Sequence, residues 1–431
     1  MDTQHTSGKR RLVIIGGGFG GLSLAKHIDK RRWDVRIIDR HNYHSFAPLF
    51  YQVAASELGP DSITFPLRRE ARRRRMRGCL FDMGEVRAVD VGRRVVVTDC
   101  EEVPYDAVVI AAGATNNFFG MDSLRDKVYT LKSVPEAIRC RNAALERLER
   151  AAFCTDPAMR RRLLTFVVVG GGPTGVEVAG ALGEAKRYVV RRDYPRISPD
   201  EVRVVLCEGS DRLLRTMSGR SSADALRYLR ELMVDVRLAK TMKSYEGSTV
   251  TFADGESIDT ETVIWTAGIS GSPLELRGTD VKAGPGGRFA IDEYCRLKGL
   301  DDVYAIGDIA CHTDSRYPRG CPQLAQPAIQ QGRALARNLN RPEHARPFSY
   351  RDKGSMATIG RNRAVVDMGR LHFGGWAAWM AWMLVHLVTL LGMRNKLAVL
   401  LNWTWSYFNH STSLRMILKP AEKPDKHFKT E

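Results

Sequence analysis

Short unbroken runs of apolar residues recur along the chain. Leu12-Val13-Ile14-Ile15, Ala107-Val108-Val109-Ile110, Phe166-Val167-Val168-Val169, Val204-Val205-Leu206-Cys207 and Val263-Ile264-Trp265 are the clearest. None alternates with polar residues, so each predicts a strand buried on both faces. A helical apolar period covers 133–152, and another helix is expected from about 325 to 339. Strands that alternate with helices require a parallel sheet covered on both sides, the α/β class. Two stretches read as hairpins instead: 85–98, with Asp90-Val91-Gly92 at its turn, and 241–257, with Asp254-Gly255 near one turn.

Two of the buried strands run directly into glycines. Gly16-Gly17-Gly18-Phe19-Gly20-Gly21 follows the first, and Gly170-Gly171-Gly172-Pro173-Thr174-Gly175 follows the strand that begins near Leu163. Each reads G-x-G-x-x-G between a strand and a helix. The glycines permit the tight turn, the approach of backbone to a pyrophosphate and close helix–strand packing, and the helix N-terminus faces the phosphates. Each turn has an acid at the end of the next strand, Asp39 and Glu208, placed to accept from ribose hydroxyls. Capping a turn is the other reading of both. A ribose-binding Glu208 repels a 2′-phosphate and selects NAD(H). The expected fold is α/β with two Rossmann-like dinucleotide-binding domains, one inserted in the other. Residues 8–118 and 288–345 form the first, 119–287 the second, and 346–431 a C-terminal region. Two dinucleotides in one chain imply electron transfer between them.

The C-terminal third differs in pattern. Leu371 to Met393 contains no Asp, Glu, Lys or Arg, and includes Phe373, Trp376, Trp379 and Trp382. The run is long enough for a bilayer span of about 20 residues. His372, His386, Thr389 and several glycines dilute it, and tryptophan prefers the interface. Trp376, Trp379, Met383, Leu387 and Leu390 form one helical stripe; Leu397, Leu400, Leu401, Trp405 and Phe408 form another after Arg394-Asn395-Lys396. Lys419, Lys423, Lys426 and Lys429 follow. Paired amphipathic helices flanked by cations fit in-plane, monotopic membrane attachment. A core or dimer interface and a bilayer span are the other readings of this run.

At 431 residues the chain holds two or three domains. Its eight cysteines include no C-x-x-C and no zinc spacing, so no metal site is expected and a reduced, intracellular setting fits. Met1 to Arg10 lacks the apolar core of a secretory signal. The net charge is +17, densest across Arg68–Arg77. No aromatic interleaving or recognition module accompanies that run, which argues against nucleic acid. An anionic membrane surface or a solvated helix face fits it.

With these pieces assembled, the chain resembles the type II NADH dehydrogenases, single-subunit non-pumping NADH:quinone oxidoreductases, from about Arg11 to about Ile417. The resemblance rests on 42–54 (NYHSFAPLFYQVA), Gly175-Val176-Glu177, 325–332 (AQPAIQQG), 353–360 (KGSMATIG) and Arg394-Asn395-Lys396. It implies FAD in the first cradle, through Gly16, Gly18, Gly20, Gly21 and Asp39, and NADH in the second, through Gly170, Gly172, Gly175 and Glu208. It further implies Pro48 and Leu49 near the isoalloxazine, Asp308 of Gly307-Asp308 at the ribityl–pyrophosphate region, and the small-residue turns at Ala112-Gly113 and Gly268 beside the nucleotides. Ala112 stands where the family often has threonine, which removes one hydroxyl contact. Glu177 is expected at the nicotinamide or a proton near the flavin, and Gln326 and Gln330, four apart on one helical face, at a quinone carbonyl. Their plain structural readings are a helix-dipole acid and surface caps. Menaquinone or ubiquinone as acceptor, a homodimer, and the cytoplasmic face of the inner membrane complete the expectation. A sulfide:quinone or other flavin reductase (with Cys154 and Cys321 as its only proposable cysteines) and a non-catalytic flavin-bearing regulator are the alternatives.

Overall fold

The computed structural model describes residues 8–409 and 414–417. The chain divides into two compact units: Met1–Phe46 with Ile63–Phe119 and Gly268–Ser355, and Ala47–Ser62 with Gly120–Ala267 and Met356–Glu431.

In the first unit the apolar runs build a five-stranded parallel sheet, ordered Val303–Ala305, Ala107–Ile110, Arg10–Ile15, Trp33–Asp39, Cys79–Met83. Its central side chains Leu12, Val13 and Ile14 are fully buried. Helix Phe19–His27 packs against helix Ala325–Asn340. Their closeness depends on Gly332, where an added Cβ would meet the Gly20 carbonyl oxygen at 2.6 Å. Ser23 Oγ donates to the Ile329 carbonyl across the same contact, 2.8 Å. The first hairpin forms as Val86–Asp90 against Val95–Thr98 and extends to Glu102–Pro104. Glu275–Arg277 joins its edge in parallel, and Ile269–Gly271 pairs with Ala114–Asn116. These two ladders hold 268–277 in the first unit, upstream of the boundary at 288 read from sequence. Within the arginine run, Glu70 is buried and binds Lys26 at 2.8 Å and Arg73 at 3.2 Å, so part of that run is structural.

The second unit carries a four-stranded parallel sheet, ordered Val234–Arg237, Arg203–Cys207, Thr165–Val169, Thr262–Trp265. The 241–257 hairpin forms as Met242–Glu246, Thr249–Phe252 and Ser257–Asp259. Helix Val134–Phe153 starts at Ser133, whose side chain accepts the Glu136 N–H, while the Glu136 carboxylate accepts the Lys132 N–H at 2.7 Å. Helix Phe50–Ala54, from residues 47–62, packs on that helix and on helix Pro173–Glu184.

The uncharged C-terminal run breaks into three pieces. Leu371–Gly374 is a strand paired with Ala364–Met368, Gly375 turns with φ +78°, and helix Trp376–Thr389 follows. Fourteen residues span about 21 Å, short of a bilayer core. Among the described residues no helix is long and apolar enough to cross a membrane. The predicted stripe is only partly right. Trp376 is exposed, Leu390 lies buried beyond the helix end, and the inward side is set by Ala378 and Trp382. The second stripe holds as an outward face: on helix Met393–Asn409, Leu397, Leu400, Leu401, Trp405 and Phe408 are 41–74 % exposed. Lys419, Lys423, Lys426 and Lys429 lie outside the described residues. Asp367 fastens the hairpin to the rest of the unit by accepting from Ser218 N, Ser221 Oγ and His372 Nδ1 at 2.5–2.8 Å.

Candidate active site

In the first cradle Gly16 has φ +109°, and a Cβ there would strike the Ala111 carbonyl oxygen at 2.3 Å. A Cβ on Gly21 would meet the Gly16 oxygen at 2.0 Å, and one on Gly20 the Ile306 side chain at 3.2 Å. Gly18 differs, because nothing lies within 4 Å of its Cβ position. The turn is thus closed where backbone meets backbone and open in front of the helix, as a pyrophosphate requires. Asp39 accepts the Gly17 N–H at 2.7 Å with one oxygen and the His41 N–H at 2.8 Å with the other. His44, given no role of its own in the sequence reading, is buried with Nδ1 on the Gly17 carbonyl at 3.0 Å. Burial lowers its imidazole to about 4, so the ring is neutral. Its Nε2 has no hydrogen-bond partner among the described residues. The open groove, the acid and this waiting acceptor fit a flavin dinucleotide.

The second cradle repeats the first. Gly170 has φ +111°, a Cβ on Gly175 would meet the Gly170 oxygen at 1.8 Å, and Gly172 faces open space. Glu208 accepts the Gly171 N–H at 2.5 Å and the Ser210 N–H at 2.7 Å. Both acids therefore fasten their own turns, and each oxygen keeps a further lone pair for a ribose hydroxyl.

Helix Pro173–Glu184 leaves this second turn. Glu177, in its first turns, is buried, and the Thr358 N–H donates to it. Desolvation pushes its carboxyl well above the usual range, which favours the protonated form. The side chain of the same threonine, Thr358 Oγ1, meets the Tyr51 hydroxyl at 2.8 Å. Gln52 Nε2 donates to that hydroxyl at 3.2 Å, and Trp403 Nε1 donates to Gln52 Oε1 at 3.0 Å. Trp382 stands edge-on to Tyr51, ring centres 6.3 Å apart. Tyr51, Gln52, Thr358, Trp382 and Trp403 line a partly open cavity of about 570 Å³, including the space that opens to solvent, with Glu57 and Glu184 on its wall. Burial and the Glu184 charge raise Glu57 to about 8, and burial raises Glu184 as well. Glu184 Oε1 also accepts the Arg361 N–H at 2.6 Å, and Arg361 reaches the Tyr407 carbonyl and Ser406 Oγ at 3.0 and 3.2 Å. The sequence reading assigned no role to Tyr51, Gln52, Glu57 or Glu184. The available signal was spacing: Glu177 and Glu184 are seven apart, on one helical face.

Gln326 and Gln330 both face the segment 351–354. Gln326 donates to the Gly354 carbonyl at 2.9 Å and accepts the Lys353 N–H at 3.2 Å. Gln330 makes the same pair with Arg351, 2.9 and 3.0 Å. Their neighbour Gln331, also unassigned from sequence, is buried and accepts the Gly307 N–H at 2.7 Å, which holds the turn Gly307–Ile309 that carries Asp308. The Asp308 carbonyl accepts from Gln323 at 2.9 Å. Gly113 has φ +71° and open space at its Cβ position. Ala112 follows the end of the strand that meets Gly16. Gly268 lies in the first unit, where its carbonyl accepts from Asn117 at 3.1 Å and the Phe119 ring fills the space of a side chain. Pro48 and Leu49 form the turn Ala47–Leu49 in the second unit, and the Leu49 side chain is fully buried there.

Residues 10–332 match the pyridine nucleotide-disulphide oxidoreductase family, and residues 353–415 match the NDH2 C-terminal domain. The type II NADH:quinone oxidoreductase NdhA of Mycobacterium tuberculosis is 36 % identical over 423 residues, covering 94 % of this chain and 88 % of that one. The chain belongs to the type II NADH:quinone oxidoreductases. A second member from the same organism, Ndh, is 32 % identical over 93 % of the chain and 89 % of its own length. The solved structure of NDH2 from Plasmodium falciparum in complex with NADH shares the fold, with a TM-score of 0.87 at 20 % identity over 95 % of this chain and all of that one. The sulfide:quinone oxidoreductase of Aquifex aeolicus is similar in fold at a TM-score of 0.70 and 16 % identity, covering 94 % and 96 %. In this type II oxidoreductase all eight cysteines are free thiols. Cys321 is buried 3.7 Å from His312 Nδ1, and burial pushes its thiol up to about 11, far from the thiolate that sulfur chemistry needs.

Proposed function

We infer that this type II oxidoreductase oxidises NADH and reduces a membrane quinone by two electrons, without pumping protons. The observation that carries the reading is the duplicated cradle, two glycine turns each fastened to its own acid. FAD supplies the two-electron store between the substrates.

The first turn, with Gly16, Gly18, Gly20, Gly21 and Asp39, holds the FAD pyrophosphate and ribose, supported by Asp308 and the Ala112-Gly113 turn. The second, with Gly170, Gly172, Gly175 and Glu208, holds NADH, and the Glu208 charge turns away a 2′-phosphate. Pro48 and Leu49 border the flavin ring by their backbone, and Gly268, with the Phe119 ring against it, forms a tight turn beside the nucleotides. Glu177 holds a proton on its carboxyl and donates it as a hydrogen bond towards the nicotinamide or the quinone. Gln326 and Gln330 each keep one amide N–H after fastening 351–354, and that N–H orients a quinone carbonyl. The outward apolar face of helix Met393–Asn409 enters the lipid interface, and the +17 charge draws the enzyme to anionic headgroups at the cytoplasmic face. Homodimer formation belongs to the same proposal.

The deciding assay mixes purified flavin-loaded protein with NADH and a soluble quinone and follows the nicotinamide absorbance. Quinone-dependent oxidation is expected, slower with NADPH. Slow oxidation that ignores the quinone would sink the reading and favour a regulatory flavoprotein.

A further inference from the structure

The second unit contains another, partly open hollow that the reaction does not use, about 530 Å³ including the space that opens to solvent. Its walls are apolar, with Leu145, Leu148, Phe166, Leu182, Val189 and Val204 among them. Two cations interrupt these walls. Arg141, on helix Val134–Phe153, and Lys186 are only 4 % and 7 % exposed. Among the described residues, Arg141 makes two long contacts, 3.4 Å each, to Asn142 Oδ1 beside it. Lys186 has no ion pair among the described residues. The third cation at the void, Arg415, is neutralised by Asp193 at 2.7 Å. Both side chains run through apolar surroundings with no counter-ion among the described residues, and two such cations at one apolar groove suit the negative head of a ligand. Burial lowers the pKa of both, and for Lys186 it outweighs the opposing pull of the Asp200 charge. The helix around Lys186 is a π-turn, Ala185–Val190, an expensive geometry that concentrates at binding sites. Arg415 lies in the short described segment 414–417, downstream of the helix with the outward apolar face, which brings the void to the part of the chain that meets lipid.

We propose that this void binds the acyl chain of an anionic amphiphile, whose carboxylate or phosphate is held by Arg141 and Lys186. The site is separate from both nucleotide cradles. A free fatty acid and an anionic phospholipid present the same chemistry, a long apolar tail with one negative head.

Native mass spectrometry and thermal melting of the full-length, flavin-loaded enzyme test it, with sodium oleate and phosphatidylglycerol in separate arms and inorganic phosphate as the tailless control. One molecule should bind and raise the melting temperature. Oleate binding alone would identify the fatty acid, phosphatidylglycerol binding alone the phospholipid, and either supports the site. Arg141→Met with Lys186→Met should weaken binding at least tenfold and leave NADH:ferricyanide turnover unchanged. Leu148→Trp keeps both cations and fills the tail space; it should also abolish binding, which covers the case in which the double variant fails to fold. The proposal is overturned if neither amphiphile binds, if phosphate stabilises equally, or if Leu148→Trp binds as tightly as the unaltered enzyme.

Discussion

Asp39 and Glu208 each commit one oxygen to the middle glycine of a cradle, so removing either acid strips a hydrogen-bond partner from backbone as well as from ribose. A charge-assisted bond of this kind contributes about 1.5–3 kcal/mol. Glu208→Ala should therefore raise the KM for NADH roughly 10- to 100-fold while the bound flavin, read from its visible absorbance, stays at full occupancy. Gly21→Ala and Gly175→Ala form a matched pair. Each new Cβ would sit 2.0 Å or less from a backbone oxygen. The first should yield protein that has lost its flavin, the second flavin-loaded protein with impaired NADH binding; loss of both ligands in both variants would refute the division of labour. Glu177→Gln keeps the shape of a carboxyl whose burial favours its protonated form. It should fold as well as the original, yet lose the alkaline limb of the pH–rate profile for quinone reduction. Sequence reading reached the glycines and acids because their partners lie within one strand–turn–helix unit. It could not foresee that Gln326 and Gln330 clasp 351–354, since those partners are more than 20 residues away and are backbone groups that any residue type supplies.

At the level of elements, the parallel strands were legible from their unbroken apolar runs, because a strand buried on both faces leaves little choice of composition. The C-terminal run was harder. Leu371–Gly374 and the helix after it both lack charged residues, and only Gly375, in a backbone region that suits glycine, separates them. The π-turn at Ala185–Val190 has no sequence signal of its own. The exposed face of helix Met393–Asn409 makes a direct prediction. Leu401→Glu with Trp405→Glu should cut binding to anionic vesicles by roughly tenfold or more, measured by flotation, with turnover on a water-soluble quinone unaffected. Unchanged binding would place the membrane contact elsewhere.

For the molecule as a whole, buried titratable groups set an optimum pH for stability. Glu57 is raised to about 8 and Glu177 and Glu184 are raised too, so the folded protein holds protons that the unfolded chain has released above the ordinary carboxylate range. Their contribution is intact below about pH 4.5 and is lost as pH rises. His44 works in the opposite sense: its pKa falls from 6.5 to about 4, so stability declines as pH drops through that window. The melting temperature should peak on the acid side of neutrality and fall towards pH 8, and Glu57→Gln should flatten the alkaline side. One element of the second unit also has a pharmacological consequence. The rod Pro173–Glu184 starts at a glycine turn and ends on the wall of the aromatic chamber, with Glu177 near one end and Glu184 at the other. A drug wedged beside Glu184 would push on the same rigid body that presents Gly175. Its potency should then shift with the amount of reduced nicotinamide present, and resistance should arise at positions far from the compound itself.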